Sequence, residues 1–285
     1  MKPIRLFISD IDGTLFTTPE QYARDGGVSD RDLAAFRELE AAGIRVGIAT
    51  GRNDRFLTTF ARHRDLLLPT VGFNGGCVWA QGKILSQSPF AWGDVRRVME
   101  DFPDLAYAFM GNTARSATLC WRKEDVQRNQ AMRDAGRDLG WGPIYPGTLE
   151  EYLEDPKREP LCHMVFNLHS SEELPGCRDR INARYRGLPS GLRVVATSKA
   201  SLAFVHKGLS KGLGLEALAG HYGLTMDQVA VVGDGENDLE MFRAAGRSFC
   251  MSSAPENIRR EADTVVSSVA EAARLVMEQN KTSQT

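Results

Sequence analysis

The segment Phe7-Ile8-Ser9-Asp10-Ile11-Asp12-Gly13-Thr14-Leu15 constrains this chain more than any other, because it ends a short apolar run on two carboxylates. Ile4, Leu6, Phe7 and Ile8 are apolar and partly β-branched, and Asp10, Asp12 and Gly13 stop them, so the run reads as a buried strand. In open α/β sheets, ligands bind at the carboxyl ends of the strands. Asp10 and Asp12 point the same way in an extended chain, and two clustered anions repel unless a cation lies between them. A hard divalent ion with oxygen ligands, most simply Mg²⁺, supplies that cation. Taken alone, Asp-x-Asp-Gly is equally well a plain turn, so the rest of the chain has to decide.

The chain continues in a β-α-β rhythm. Ser29 with Asp32 forms a helix-start pattern, Leu33, Phe36 and Leu39 give a helical stripe, and Gly43 ends it. Ile44, Val46 and Ile48 then alternate into Thr50-Gly51-Arg52, so a second, parallel strand delivers a hydroxyl and a Gly turn. A helix is predicted over 53–63, and a short strand over 70–73 that ends on Asn74-Gly75-Gly76. Beyond Gly82 the texture changes. Strand-like runs at 105–110, 117–121, 162–169 and 192–196 alternate with helical candidates at 123–139 and 172–185, and with a stretch carrying Pro143, Pro146, Pro156 and Pro160. This predicts an α+β domain over 82–198, inserted into a core made of 1–81 and 199–285. The α/β rhythm resumes at Ser210-Lys211, which opens a helix carrying Leu215, Leu218, Ala219 and Tyr222 and closed by Gly223. Val229 to Val232 then runs into a second acidic cluster, Gly233-Asp234-Gly235-Glu236-Asn237-Asp238. A helix over 236–245, a strand over 248–251 and a last helix behind Ser268 and Glu271 complete the pattern. The fold class is therefore α/β, a doubly wound parallel-sheet core with an inserted α+β domain.

Composition narrows the function classes. A length of 285 residues allows one or two domains, and a net charge of -2 makes no electrostatic case for nucleic acid or a membrane surface. The five cysteines are scattered, odd in number and never in Cys-x-x-Cys spacing, so they read as reduced, mostly buried thiols. With no apolar run long enough for a membrane helix, a cytoplasmic location is the default expectation.

Four strand or helix ends now offer Asp10 with Asp12, Thr50 with Gly51, Lys211, and Asp234 with Asn237 and Asp238. Carboxylates for a metal, a hydroxyl and N–H groups for oxyanions, and one lysine for residual negative charge are the parts of phosphoryl transfer. Lys211 is informative because a lysine at a helix start faces the positive end of the dipole unless an anion is near. No Walker-type loop, Gly-x-Ser-x-Gly elbow or Gly-x-Gly-x-x-Gly turn is present, which argues against an NTPase, a serine hydrolase and a dinucleotide enzyme.

These residues resemble the four motifs of the haloacid dehalogenase superfamily: Asp10-x-Asp12-Gly-Thr, Thr50, Lys211, and Gly233-Asp234-x-x-Asn237-Asp238. Thr-Gly-Arg at 50 to 52, Phe-Asn-Gly at 73 to 75, Ser-Lys-Gly at 210 to 212 and the long insert look like the Cof-type phosphatases with the larger α/β cap. The resemblance implies that Asp10 attacks phosphorus and that Asp12 protonates the leaving oxygen and later activates water. Asp10, the backbone carbonyl of Asp12 and Asp234 hold Mg²⁺ in this reading, with Asp238 in or just behind the ligand set. Thr50, Lys211 and Asn237 bind phosphate oxygens, and Gly51, Arg52 and Asn74 complete the substrate-binding set. The implied function is a Mg²⁺-dependent phosphatase acting on a small phosphorylated metabolite of the sugar-phosphate kind. A phosphomutase built on the same nucleophile, or a non-catalytic metabolite-binding regulator, are the alternatives. Val205-His206-Lys207 and Ser267-Ser268-Val269-Ala270 depart from the family's usual acidic residue and Asp-Gly, which bears on substrate and not on chemistry. The insert reads as a lid, with Gly75-Gly76 and Gly82 as entry hinges and Thr197 to Ser201 as the exit hinge. His163 and His169 alternate with Val165 and Asn167 and read as ordinary strand residues, while Arg115, Arg122 and Lys199 are left as solvated charges.

Overall fold

The computed structural model describes residues 2–16, 28–52, 68–102, 108–113, 147–168, 170–185, 191–198 and 201–283. The expected helices over 53–63 and 123–139 and the strand over 117–121 lie outside these residues, as do Cys120, Arg115, Arg122, His169 and Lys199. Described residues divide into two compact units, one of residues 2–50, 68–86 and 210–283, the other of Gly51, Arg52 and the described part of 87–209.

The first unit is built on an eight-stranded sheet. In chain order its strands are β1 (Leu6–Ser9), β2 (Arg45–Ala49), β3 (Thr70–Gly72), β4 (Cys77–Ala80) and β5 (Lys83–Gln87), then β10 (Val229–Gly233), β11 (Arg247–Met251) and β12 (Thr264–Val266). Their order across the sheet is β12-β11-β10-β1-β2-β3-β4-β5. Every pairing from β12 to β3 is parallel, and β4 returns antiparallel to β3. Helices cover both faces. Leu6 and Ile8 of β1 join Val229 and Val231 in one cluster with Leu215 and Leu218 of α5 (Lys211–His221) and Met241 and Phe242 of α6 (Leu239–Ala244). Phe7 points the other way, as successive strand residues must, and packs edge-on against Phe36 of α1 (Asp30–Ala41) with centroids 6.4 Å apart. Burial on both sides explains why β1 up to Ile8 and β10 are apolar and do not alternate.

The predicted caps form. Ser29 accepts from the N–H of Asp32, Ser210 from that of Leu213, and Ser268 from that of Glu271. Asp32 does more than cap its own helix, because its second oxygen accepts from Ala270 N at 2.9 Å. It thereby ties the start of α1 to the start of α8 (Val269–Thr282). Between these elements α7 (Glu256–Arg259) links β11 and β12.

The second unit has a four-stranded antiparallel sheet, in the order β6-β7-β9-β8. These strands are β6 (Ala108–Thr113), β7 (Leu161–Asn167), β8 (Leu192–Ser198) and β9 (Ser201–His206), with α2 (Trp92–Asp101), α3 (Leu149–Glu154) and α4 (Leu174–Tyr185). Val95, Val98, Leu149, Tyr152, Ile181, Tyr185, Leu202 and Phe204 build its core. His163 is buried in β7, where burial pushes its imidazole down to about 3, so it stays neutral.

The expected entry hinges are corrected. Gln81 and Gly82 take φ of 52° and 72°, the left-handed pair of a tight hairpin turn between β4 and β5. Of the expected exit hinge, Lys199 and Ala200 lie outside the described residues, while Ser198 and Ser201 are register partners in the antiparallel pair β8/β9. Gly75 has no room either, since a Cβ on it would lie 2.1 Å from Ser210 O. The signals at Gly75 and Gly82 mark a close contact and a tight turn within the first unit.

Candidate active site

Four of the predicted residues converge at the carboxyl edge of the first unit's sheet. β1 ends on Asp10, whose N–H continues the ladder by donating to Val232 O at 2.8 Å. β10 ends on Gly233, and the next turns bring round Asp234 and Asp238. Carboxylate oxygens of Asp10, Asp234 and Asp238 lie within 4.8 Å of one another. From α5, Lys211 Nζ donates to Asp10 Oδ1 at 2.5 Å and to Asp238 Oδ1 at 2.6 Å. The Lys211 side chain has no exposed surface, which is why a cation is tolerated at a helix start: it is neutralised by two anions.

Asp238 is engaged on both oxygens. Its Oδ2 accepts from the N–H groups of Asp234 and Gly235, each at 2.9 Å. This wraps residues Glu236–Asp238 into a 3₁₀ turn, so the expected helix over 236–245 begins only at Leu239. Asp234 is positioned by Thr14, whose Oγ1 donates to its Oδ1 at 2.9 Å. Gly13 lets the two segments approach, because a Cβ there would lie 2.1 Å from Asp234 Oδ2 and φ is +91°. Thr14 was not among the residues singled out by sequence, although Asp-Gly-Thr is the signal that carries it.

A second chain of contacts joins the remaining positions. Thr50, buried at the end of β2, takes its place through its N–H on Val71 O and its carbonyl under Asn74 N–H, at 2.8 and 3.0 Å. Asn74 is in the left-handed region, φ 54°, ψ 38°, and its Oδ1 accepts from Asn237 Nδ2 at 3.0 Å. Its own Nδ2 is buried and has no hydrogen-bond partner among the described residues. Asp12 is exposed and stands outside the three-carboxylate cluster, one bridge from Phe16. Gly51 and Arg52 fall with the second unit.

The electrostatics show what the centre lacks. Burial raises Asp10 well above the usual carboxylate range, and Asp238, Asp234 and Asp12 raise it further against the opposing pull of Lys211. Asp234 is pushed up to about 6, by burial first and then by Asp238. Burial by itself lowers an ammonium, yet Asp10 and Asp238 outweigh it and hold Lys211 above its ordinary value. Three carboxylates against one ammonium leave an excess of negative charge in a buried place. The donor set, all hard oxygens within a few ångströms, fits a divalent cation of the Mg²⁺ type.

A strand-end aspartate held by a buried lysine beside two further carboxylates agrees with what the whole sequence matches. The description haloacid dehalogenase-like hydrolase covers residues 7–273. This chain belongs to the haloacid dehalogenase-like hydrolase family. It is 27% identical over 255 residues to 5-amino-6-(5-phospho-D-ribitylamino)uracil phosphatase YbjI of Escherichia coli (strain K12), covering 88% of this chain and 86% of that protein. It is 31% identical over 258 residues to a phosphoglycolate phosphatase of Halobacterium salinarum, covering 90% and 88%. A haloacid dehalogenase-like hydrolase from B. subtilis has the same fold, with a TM-score of 0.76 at 19% identity, over 96% of this chain and 99% of that one. As a hydrolase of this family the chain is an enzyme. Among its described residues no helix is long and apolar enough to cross a membrane.

Proposed function

We propose that this enzyme is a Mg²⁺-dependent phosphatase that hydrolyses a small phosphorylated metabolite of the sugar-phosphate class through an aspartyl phosphate on Asp10. The observation that carries the reading is the pairing of Asp10 Oδ1 with Lys211 Nζ at 2.5 Å, inside a cluster that Asp234 and Asp238 complete. Lys211 fixes the carboxylate's orientation and favours its ionised, nucleophilic form against the burial that raises its pKa. Asp10 attacks phosphorus, and the bond to the leaving oxygen breaks as Asp12 delivers a proton to it. Asp12 then takes a proton from the water that attacks the phosphoryl group, which releases inorganic phosphate and restores Asp10.

Asp10, Asp234 and the backbone carbonyl of Asp12 would hold the cation, with Asp238 behind them. When bound it supplies charge neutralisation for the phosphoryl oxygens. Thr50, Lys211, Asn237 and the unpartnered Nδ2 of Asn74 are the donors for those oxygens, and a buried amide without an acceptor is what a site awaiting an oxyanion presents. The second unit, as a lid, is assigned the choice of substrate. Support for the sugar-phosphate class comes from the E. coli relative, whose name carries a phosphorylated ribityl chain. The Halobacterium relative is named for phosphoglycolate, so the shared element is the phosphomonoester.

Purified protein should release free phosphate from members of a phosphorylated-metabolite panel, without a bisphosphate activator and only with Mg²⁺. Asp10→Asn should lower kcat by at least about three orders of magnitude, since an amide is a poor nucleophile. Retention of more than a trace of activity in that variant, or full activity after exhaustive chelation, would overturn the mechanism. Transfer of phosphate to a second hydroxyl of the substrate would make the enzyme a mutase.

A further inference from the structure

The first unit holds a second cavity, of about 440 Å³, away from the carboxylates. Arg5, Arg45, Tyr222, Ile44, Leu224 and Glu40 line it. Three of these residues stand at the far ends of elements that carry the catalytic positions. Arg5 directly precedes β1, whose other end is Asp10, and Arg45 opens β2, whose other end leads to Thr50. Tyr222 caps α5, whose first residue is Lys211. The cavity is therefore on the opposite edge of the sheet from the candidate active site, roughly 16 Å along β1 and about the same along α5.

Its chemistry points to an anion. The backbone sets the two arginines side by side, because Arg45 N–H donates to Arg5 O at 2.9 Å. Neither guanidinium forms an ion pair among the described residues, so their fork of donors is available for a phosphate. Arg45 also lies 4.6 Å from the centre of the Tyr222 ring. That stacked pair, with buried Ile44 and half-buried Leu224, offers a flat and partly apolar wall. The volume is within the range of small-molecule sites. Lys2, the nearest other base in sequence, is already paired with Asp227.

We infer that this cavity is an effector site for a ring-bearing organic phosphate of mononucleotide size, whose occupancy acts on the catalytic centre through β1, β2 and α5. Phosphate sits between Arg5 and Arg45, and the ring lies against Tyr222, Ile44 and Leu224. Binding here does not depend on the phosphatase reading, so the test separates the two.

The probe is the phosphonate analogue of AMP, which cannot be hydrolysed, titrated calorimetrically into the full chain, with adenosine and inorganic sulfate as single-feature controls. The analogue should bind more tightly than either control. Arg5→Gln with Arg45→Gln should weaken it by about tenfold or more, with the melting temperature unchanged because both side chains are exposed. Should the double variant melt early, Arg5→Gln alone serves, since that side chain makes no hydrogen bond or ion pair among the described residues. Turnover of p-nitrophenyl phosphate should shift when the analogue is added to wild type and not when it is added to the variant. No binding at millimolar concentration, equal binding by the variant, or full displacement by vanadate, which marks the carboxylate centre, would overturn the site. Binding that the variant loses, with turnover unmoved in wild type, would overturn the effector role.

Discussion

The two units handle charge in opposite ways. In the first, Asp10, Lys211 and Asp238 are almost wholly buried and balance one another at 2.5 and 2.6 Å, while no solvent screens them. Among the described residues of the second, the ion pairs lie at the surface, Arg184 with Asp101 and Arg96 with Glu154, and the core cluster is aliphatic and aromatic. Surface pairs contribute little to stability, whereas breaking a buried one leaves a charge without a partner. The first unit therefore stores its electrostatic free energy at the candidate active site, and the second holds together by apolar burial. The same kind of substitution should have very different consequences in the two.

The sharpest way to test that contrast is Lys211→Met. It keeps most of the side-chain volume and removes the charge shared by Asp10 and Asp238. Loss of one partner from a buried pair costs about 3–5 kcal/mol, so the variant should unfold at markedly lower urea and lose nearly all turnover. Arg184→Met, which removes a half-exposed pair in the second unit, should change the unfolding free energy by less than about 1 kcal/mol. Equal losses in the two variants would erase the distinction between the units.

A smaller effect follows from the raised carboxyls. A carboxyl whose folded pKa lies above its unfolded value contributes stability that is complete below the unfolded pKa and lost as pH rises through the folded one. For Asp234 that window runs from its ordinary value of 3.8 up to about 6, and Asp10 acts in the same direction. Chelated protein should thus lose stability from this centre between about pH 4 and pH 7. A bound divalent cation favours the ionised carboxylates, so the melting temperature gained on adding Mg²⁺ should be larger at pH 7.5 than at pH 4.5. Melts with EDTA and with Mg²⁺ across this range test the sign, and Asp234→Asn should flatten the difference. A gain that is larger at the acid end would contradict the assignment of the cluster as a cation site.

The contrast also explains what could be read from sequence. Parallel strands deliver their chemistry at fixed ends, so Asp10, Thr50, Lys211 and Asp234 each stood beside an apolar run and a turn signal, and the core's order of elements followed. Side-chain roles that depend on long-range approach did not show. Thr14 reaches Asp234 and Asp32 reaches Ala270 across more than two hundred residues of chain. The pairing of Asn74 with Asn237 is of the same kind. In the second unit antiparallel strands carry no such punctuation. β9 was missed because the polar residues before Ser201 carry no glycine or proline to mark a new strand, and β6 runs on to Thr113, past the end of the 105–110 run. Helix α3 sat inside a proline-bearing stretch read as loop, although Thr148 and Glu151 form a reciprocal capping box that announces it. Gly82 misled for a physical reason: a glycine-rich or polar break serves a tight hairpin as readily as a hinge.

The smallest expected effect probes the second unit from inside its core. Tyr152 is buried there, and its ring meets Trp92 edge-on with centroids 6.3 Å apart, while Arg158 covers Trp92 at 4.5 Å. Its hydroxyl donates to the carbonyl of Glu159, which closes the turn between α3 and β7. Tyr152→Phe keeps the ring and leaves that carbonyl without this donor, a loss of about 1 kcal/mol. The change is remote in kind from the carboxylate centre, since no charge is altered and no catalytic position lies in this cluster. Chemical denaturation should therefore register the loss, while kcat on p-nitrophenyl phosphate, which asks little of substrate selection, should stay within about twofold of wild type. If instead kcat falls tenfold with stability barely changed, packing in the second unit sets the rate of the chemical step. The separation of an electrostatic centre from an apolar second unit would then be wrong.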